Sequence, residues 1–101
     1  MIYGYLRVAD DATDDDLEAS EQQMRRFTKV EGFCYASTFY EDVSGSRAAF
    51  EELTNELKRA EARHVVVPSL EHLSSHPLLR NHMIERLELD ADAHVLTPDG
   101  S

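Results

Sequence analysis

The stretch His64-Val65-Val66-Val67 decides the fold, because it is a continuous apolar run typical of a strand buried on both faces. Strands of this kind belong to parallel sheets with helices packed on them. The loop Pro68–Ser75 follows, and Pro77 stands where the first turn of a helix tolerates proline. We therefore expect a strand, a loop and a helix from residue 64 onward.

Upstream of this strand, the sequence predicts a second helix preceded by a turn. Glu41–Gly45 is the predicted turn, and Ser46 is the predicted cap of the helix. An i, i+3, i+7, i+10 spacing places four apolar residues on one stripe of the helix: Phe50, Leu53, Leu57 and Ala60.

The N-terminal segments predict a strand, a helix and a second strand. The first strand covers residues 2–8, and Thr13 caps a helix that runs to about Val30. The second strand covers Phe33–Tyr40, with Cys34 as a small core residue. The apolar face of the helix is predicted to comprise Leu17, Met24, Phe27 and Val30.

A short last strand at Ala93–Leu96 and a frayed end at Pro98–Ser101 complete the order β-α-β-α-β-α-β. This alternation predicts an α/β fold with a mainly parallel four-stranded sheet in a three-layer-like arrangement. The 101 residues suffice for one domain, 1–101, and not for two. Ligands of such folds bind beyond the carboxyl ends of the strands.

Composition narrows the classes of function. Ten basic against twenty acidic residues give a net charge of −10, which argues against DNA binding by the chain alone and against anionic membrane surfaces. A single cysteine excludes an internal disulfide and a cysteine-based zinc site. The sequence shows no apolar run long enough for a membrane span and no signal peptide, so we expect a cytoplasmic protein.

Two arginines are candidates for an anion site at the strand ends. Arg7 lies in a strand that otherwise reads as buried, so it needs either an anion or an ion pair with Glu41, Asp42 or Glu71. After the second strand, Ser44 and Arg47 flank a small-residue turn that opens a helix, where a phosphate would bind. The alternative for Ser44 and Arg47 is an ordinary helix cap with a solvent-facing arginine.

The loop after the third strand brings a carboxylate, imidazoles and hydroxyls together. A nucleophile system of serine, His72 and Glu71 is conceivable, but sequence neighbours rarely adopt the required geometry. His72, His76 and His82 fit no standard metal spacing. We therefore expect neither a metal nor a cofactor.

Three segments together resemble the catalytic domain of the serine recombinases, the resolvases and DNA invertases. They are Tyr5-Leu6-Arg7-Val8, Val43-Ser44-Gly45 with Arg47, and Val67-Pro68-Ser69-Leu70-Glu71-His72-Leu73. They occur in the family's order at about its spacing, and the similarity spans nearly the whole chain. The resemblance implies phosphoryl transfer, in which a serine after the first strand attacks a DNA phosphodiester and arginines stabilise the developing charge.

The chain departs from the family pattern at the residues that carry this chemistry. Family members read Tyr-x-Arg-Val-Ser, and Ala9 stands at the position of the serine. The family's Asp-Arg-Leu-x-Arg is matched by Glu71, His72, Leu73, Ser74 and Ser75, which removes two cations. The resemblance thus leaves a vestigial site of six residues: Tyr5, Arg7, Ala9, Arg47, Glu71 and His72.

The resemblance also implies a long oligomerisation helix and a helix-turn-helix domain after the catalytic domain, and the sequence shows neither. We expect a catalytically inactive domain that acts through contacts with a protein partner or a second copy. The alternatives are a phosphate or nucleotide module built on Arg7 and Arg47, and residual recombinase activity or DNA binding within a complex. In the last case Ser44, Ser46 or Ser69 would replace the nucleophile.

Overall fold

A computed structural model describes residues 1–42 and 47–98 and has the expected α/β fold. The elements are β1 (Ile2–Val8), α1 (Asp14–Val30), β2 (Tyr35–Asp42), α2 (Ala48–Ala60), β3 (His64–Val66), a short 3-10 helix (Leu70–His72), α3 (Pro77–Ala91) and β4 (His94–Leu96). All strand pairs are parallel, in the spatial order β2-β1-β3-β4. No helix in the described part of the chain is long and apolar enough to cross a membrane.

Alternation along β1 divides the core into two layers. Tyr3 and Tyr5 belong to a large cluster with the inner faces of α2 and α3, whereas Ile2 and Leu6 pack with Met24 of α1. β1 is thus buried on both faces, and the sheet is the middle of three layers. This arrangement places the carboxyl ends of β1, β2 and β3 at one edge.

The predicted start of α1 is confirmed, but one residue of its apolar face is not. The Thr13 side chain accepts from the N–H of Asp16 at 3.1 Å, and the Asp16 carboxylate accepts from the N–H of Thr13 at 3.2 Å. Val30 is 85% exposed, and Thr28 is buried. With 3.6 residues per turn, Val30 lies about 120° around the helix from Met24, and Thr28 lies within about 40° of it.

The second strand lies two residues later than predicted. Cys34 is exposed rather than in the core, although its carbonyl accepts from the N–H of Ile2 at 2.8 Å. Glu41 and Asp42, predicted in a turn, continue β2 opposite the last two residues of β1. β2 continues to Asp42 because Glu41 and Asp42 pair with Arg7 and Val8, a register between strands that the local sequence pattern does not reveal. The remainder of the predicted turn and the Ser46 cap lie outside the described residues.

Candidate functional site

Two adjoining concavities lie at the carboxyl ends of the strands, and Arg7 lines both of them. On one side of Arg7, a cleft of about 160 Å³ is lined by Tyr5, Glu41 and Arg47, among others. On its other side, an open depression is lined by residues of the β1 end and of the loop after β3: Ala9, Ser69, Glu71, His72 and Ser75. The structure therefore brings all six predicted site residues to one edge of the sheet.

Glu41 organises the cleft that Tyr5 and Arg47 also line, a role that the local sequence does not suggest. Its buried carboxylate accepts from the Tyr5 hydroxyl at 3.1 Å and from the N–H groups of Ala49 and Phe50 at 3.2 Å each. It thereby satisfies free donors in the first turn of α2, which has no side-chain cap from its N-cap residue, Arg47. Burial and the neighbouring Glu41 carboxylate raise the pKa of Tyr5. Tyr5 and Glu41 therefore form a fixed wall of the cleft.

Arg7 is half-buried, and of its three predicted partners, Glu41, Asp42 and Glu71, neither Glu41 nor Glu71 forms the ion pair. Within the described residues, no carboxylate oxygen of either residue lies within 4.0 Å of its guanidinium. Glu41 is engaged by Tyr5 and α2, and Glu71 is exposed. Arg47 is exposed at the start of α2 and forms no ion pair with Glu41 or Glu71. Two guanidinium groups are thus left to line the cleft.

His72 contacts the backbone of Arg7 and does not act as a second cation. Its Nδ1 accepts a hydrogen bond of 3.1 Å from the N–H of Arg7. Burial lowers the pKa of His72, and the Arg7 guanidinium lowers it further, against the opposing effect of Glu71. An acceptor Nδ1 requires the neutral ring with its proton on Nε2. The geometry therefore makes His72 a structural acceptor near neutral pH.

The serines and the other histidines occupy different positions around the cleft. Ser69 lines the same depression as Ala9, whereas Ser44 and Ser46 lie outside the described residues. Ser74 is buried, and its hydroxyl accepts from the N–H of His76. Over residues 1–42 and 47–98, no group of three or more potential metal ligands is found.

This fold and site define an α/β domain with arginines at the carboxyl ends of a parallel sheet. The family model described as the resolvase N-terminal domain matches residues 2–99. The chain therefore belongs to the resolvase family of serine recombinases.

A comparison of structures agrees with this assignment at the level of the fold. The N-terminal catalytic domain of TP901-1 integrase superposes with a TM-score of 0.78 and 16% sequence identity. The match covers 97% of this chain and 76% of that domain's chain. No curated protein sequence matches the chain significantly. The chain thus carries a recombinase-related domain.

Proposed function

We propose that this chain is a catalytically inactive serine-recombinase domain that acts through protein contacts. The observation that carries the proposal is the place of Ala9, exposed in the depression beside Arg7 and His72. Ala9 occupies the position of the family's serine, and a methyl group cannot attack phosphorus. Loss of the nucleophile of a covalent mechanism costs on the order of 10⁶ in rate in a hydrolase of another class.

The surroundings of Ala9 support the same conclusion. His72 occupies the position of a family arginine, and its hydrogen bond to Arg7 keeps the ring neutral. Ser75 occupies the position of a second family arginine in the same depression. Charge that developed on a phosphoryl group here would meet Arg7 without those two cations. Ser69 shares the depression, but Arg7 is the one arginine there among the described residues, so no cluster of cations activates the Ser69 hydroxyl.

The protein-contact part of the proposal is tested by self-association and partner capture. Sedimentation velocity over a wide concentration range detects a second copy, and cross-linking in the native cell identifies a different partner. We expect a concentration-dependent dimer or one reproducible cross-linked partner. A strict monomer at every concentration, with no cross-linked partner, would contradict the proposal.

A phosphate-binding module is the second candidate, favoured by two guanidinium groups on one cleft. Arg7 and Arg47 both line it, and neither forms an ion pair with Glu41 or Glu71. Titration with inorganic phosphate and nucleotides, followed by amide NMR shifts of Arg7 and its neighbours, tests this function. Saturable shifts that Arg47→Gln weakens would support it, and no shift at millimolar ligand would exclude it.

A further inference from the structure

A second groove lies on the other face of the sheet, between α1 and the ends of β1 and β2. We call it the α1 groove, and it is open, with more apolar than polar surface. Tyr40 is 46% exposed, and Val8 and Leu17 are half-buried beside it. Its lining comprises an apolar floor of Val8, Leu17 and Tyr40 and an acidic rim of Asp14, Glu18 and Glu21.

Tyr40 presents a fixed aromatic ring in this groove. Its hydroxyl donates a hydrogen bond of 2.6 Å to Oε2 of Glu21. This hydrogen bond, together with burial, raises the pKa of Tyr40 to about 12. A ring held at its hydroxyl keeps its face in one orientation, so a ligand that stacks on it loses less conformational freedom of the ring.

The same surface already binds a cation on an aromatic ring. The guanidinium of Arg25 lies 4.4 Å from the ring centroid of Tyr35, and Arg25 also pairs with Glu21 at 2.8 Å. Tyr35 belongs to the same strand as Tyr40, and Glu21 contacts both Arg25 and Tyr40. Tyr35 and Glu21 thus hold a guanidinium between an aromatic face and a carboxylate. The same combination beside Tyr40 suits a second guanidinium, supplied by a ligand.

The charge around the groove selects the chemistry of its occupant. Asp14 is exposed on the rim, and Glu18 accepts only a long 3.4 Å hydrogen bond from Gln22 among the contacts of the described chain. The neighbouring loop and helix start add more carboxylates of the same sign: Asp10, Asp11, Asp15 and Asp16. An anionic or purely apolar occupant would leave this field unneutralised, whereas a basic one neutralises it.

We propose that the α1 groove binds an arginine-bearing basic segment of a partner protein. The methylene stem of the arginine packs on Leu17 and Val8, while its guanidinium stacks on Tyr40 and pairs with Asp14 and Glu18. This inference rests on the proposed function as a protein-contact domain, and it names the partner's chemistry. Lysine fits the α1 groove less well than arginine, because it lacks a planar group to stack on the Tyr40 ring.

A blocked tetra-arginine peptide is the probe, titrated into the ¹⁵N-labelled chain at physiological salt. An otherwise identical tetra-citrulline peptide keeps the size and planarity of the side chains and removes their charge. We expect saturable amide shifts centred on Val8, Leu17 and Tyr40 with tetra-arginine, and none with tetra-citrulline. Absence of shifts with tetra-arginine, or equal shifts with both peptides, would overturn the proposal.

Matched variants separate the groove from the general acidity of the chain. Asp14→Asn with Glu18→Gln should weaken binding by about fivefold, because two rim pairs are lost. Glu52→Gln with Glu88→Gln changes the net charge equally on exposed residues of α2 and α3 and should leave the affinity within about twofold. Equal weakening by the two pairs would show non-specific attraction and overturn the proposal.

Tyr40→Leu tests the contribution of the aromatic ring. It keeps an apolar floor and should weaken tetra-arginine binding more than tetra-lysine binding, because only the guanidinium stacks on the ring. Equal effects on both peptides would contradict the assigned role of Tyr40. Sedimentation velocity and cross-linking test the proposed function without the peptide, so a failure of groove binding is distinguishable from a failure of the proposed function.

Discussion

The N–H of Arg7 donates a hydrogen bond of 3.1 Å to Nδ1 of His72 and joins the end of β1 to the 3-10 helix that follows β3. The bond assigns His72 a role that its sequence position does not suggest. A neutral imidazole here accepts from the main chain and ties the loop after β3 to the end of β1.

Protonation of His72 should destabilise the fold. A proton on Nδ1 would face the N–H of Arg7 and abolish the hydrogen bond. Burial lowers the folded-state pKa of both His72 and His64, so the unfolded chain binds more protons below about pH 6.5. The stabilisation is fully present above that pH and is lost as the pH falls towards the folded-state pKa values. Urea unfolding at about pH 7.5 and pH 5 measures the loss of unfolding free energy. Both pH values lie above the ordinary pKa of glutamate, so histidines rather than carboxylates titrate between them.

His72→Asn separates the two histidines. The asparagine carbonyl can still accept from Arg7 but does not titrate, so the fall in unfolding free energy between the two pH values should be smaller than in the parent chain. His64→Asn should remove a further part of this fall in unfolding free energy. A pH dependence unchanged by His72→Asn would show that the Arg7–His72 bond does not control protonation.

Removal of the Glu41 carboxylate should destabilise the domain strongly. Glu41→Ala leaves the Tyr5 hydroxyl and two N–H groups of α2 without their acceptor, which should cost about 2 to 3 kcal/mol in unfolding free energy. Tyr5→Phe removes only one of these partners and should cost about 1 kcal/mol. Urea unfolding measures both variants. A cost below about 0.5 kcal/mol for Glu41→Ala would contradict the capping role.

Gly4 should tolerate no side chain while Tyr35 keeps its position. A Cβ at Gly4 would overlap the Tyr35 hydroxyl oxygen and lie 2.9 Å from the ring carbon that bears it. Gly4→Ala must displace the ring from its contacts with Thr38 and Arg25, which should cost about 1 to 3 kcal/mol.

A Tyr35→Leu variant, with its shorter side chain, tests whether the Tyr35 ring causes the requirement for glycine at position 4. Gly4→Ala should cost less in that background than in the parent chain, and a double-mutant cycle measures the difference. Additive effects of the two substitutions would show that the Tyr35 ring does not set the requirement for glycine.

The architecture could be predicted from the sequence because it depends on local patterns. The valines of β3 indicate a buried parallel strand, the Thr13 cap marks the start of α1, and the stripe through Phe50 and Leu57 marks the inner face of α2. These signals lie within short windows, where spacing alone carries the information.

The contacts within the site could not be predicted, because they join residues far apart in the chain. The local sequence places Glu41 in a polar turn, whereas its role depends on contacts with Tyr5 and α2 at the end of the sheet. His72 lies 65 residues from Arg7, and its Nδ1 contact depends on the parallel pairing of β1 with β3. A polar residue in sequence does not reveal which distant donor it will satisfy.

Covalent attachment to DNA tests the central claim most directly. The chain is incubated with a pool of nicked duplexes of randomised sequence, with a competent serine recombinase domain in parallel, and denaturing gels followed by intact-mass analysis detect protein–DNA adducts. We predict an adduct with the competent domain and none with this chain, because Ala9 carries no nucleophile. A phosphoserine adduct of this chain that disappears on substitution of Ser44, Ser46 or Ser69 would contradict the account.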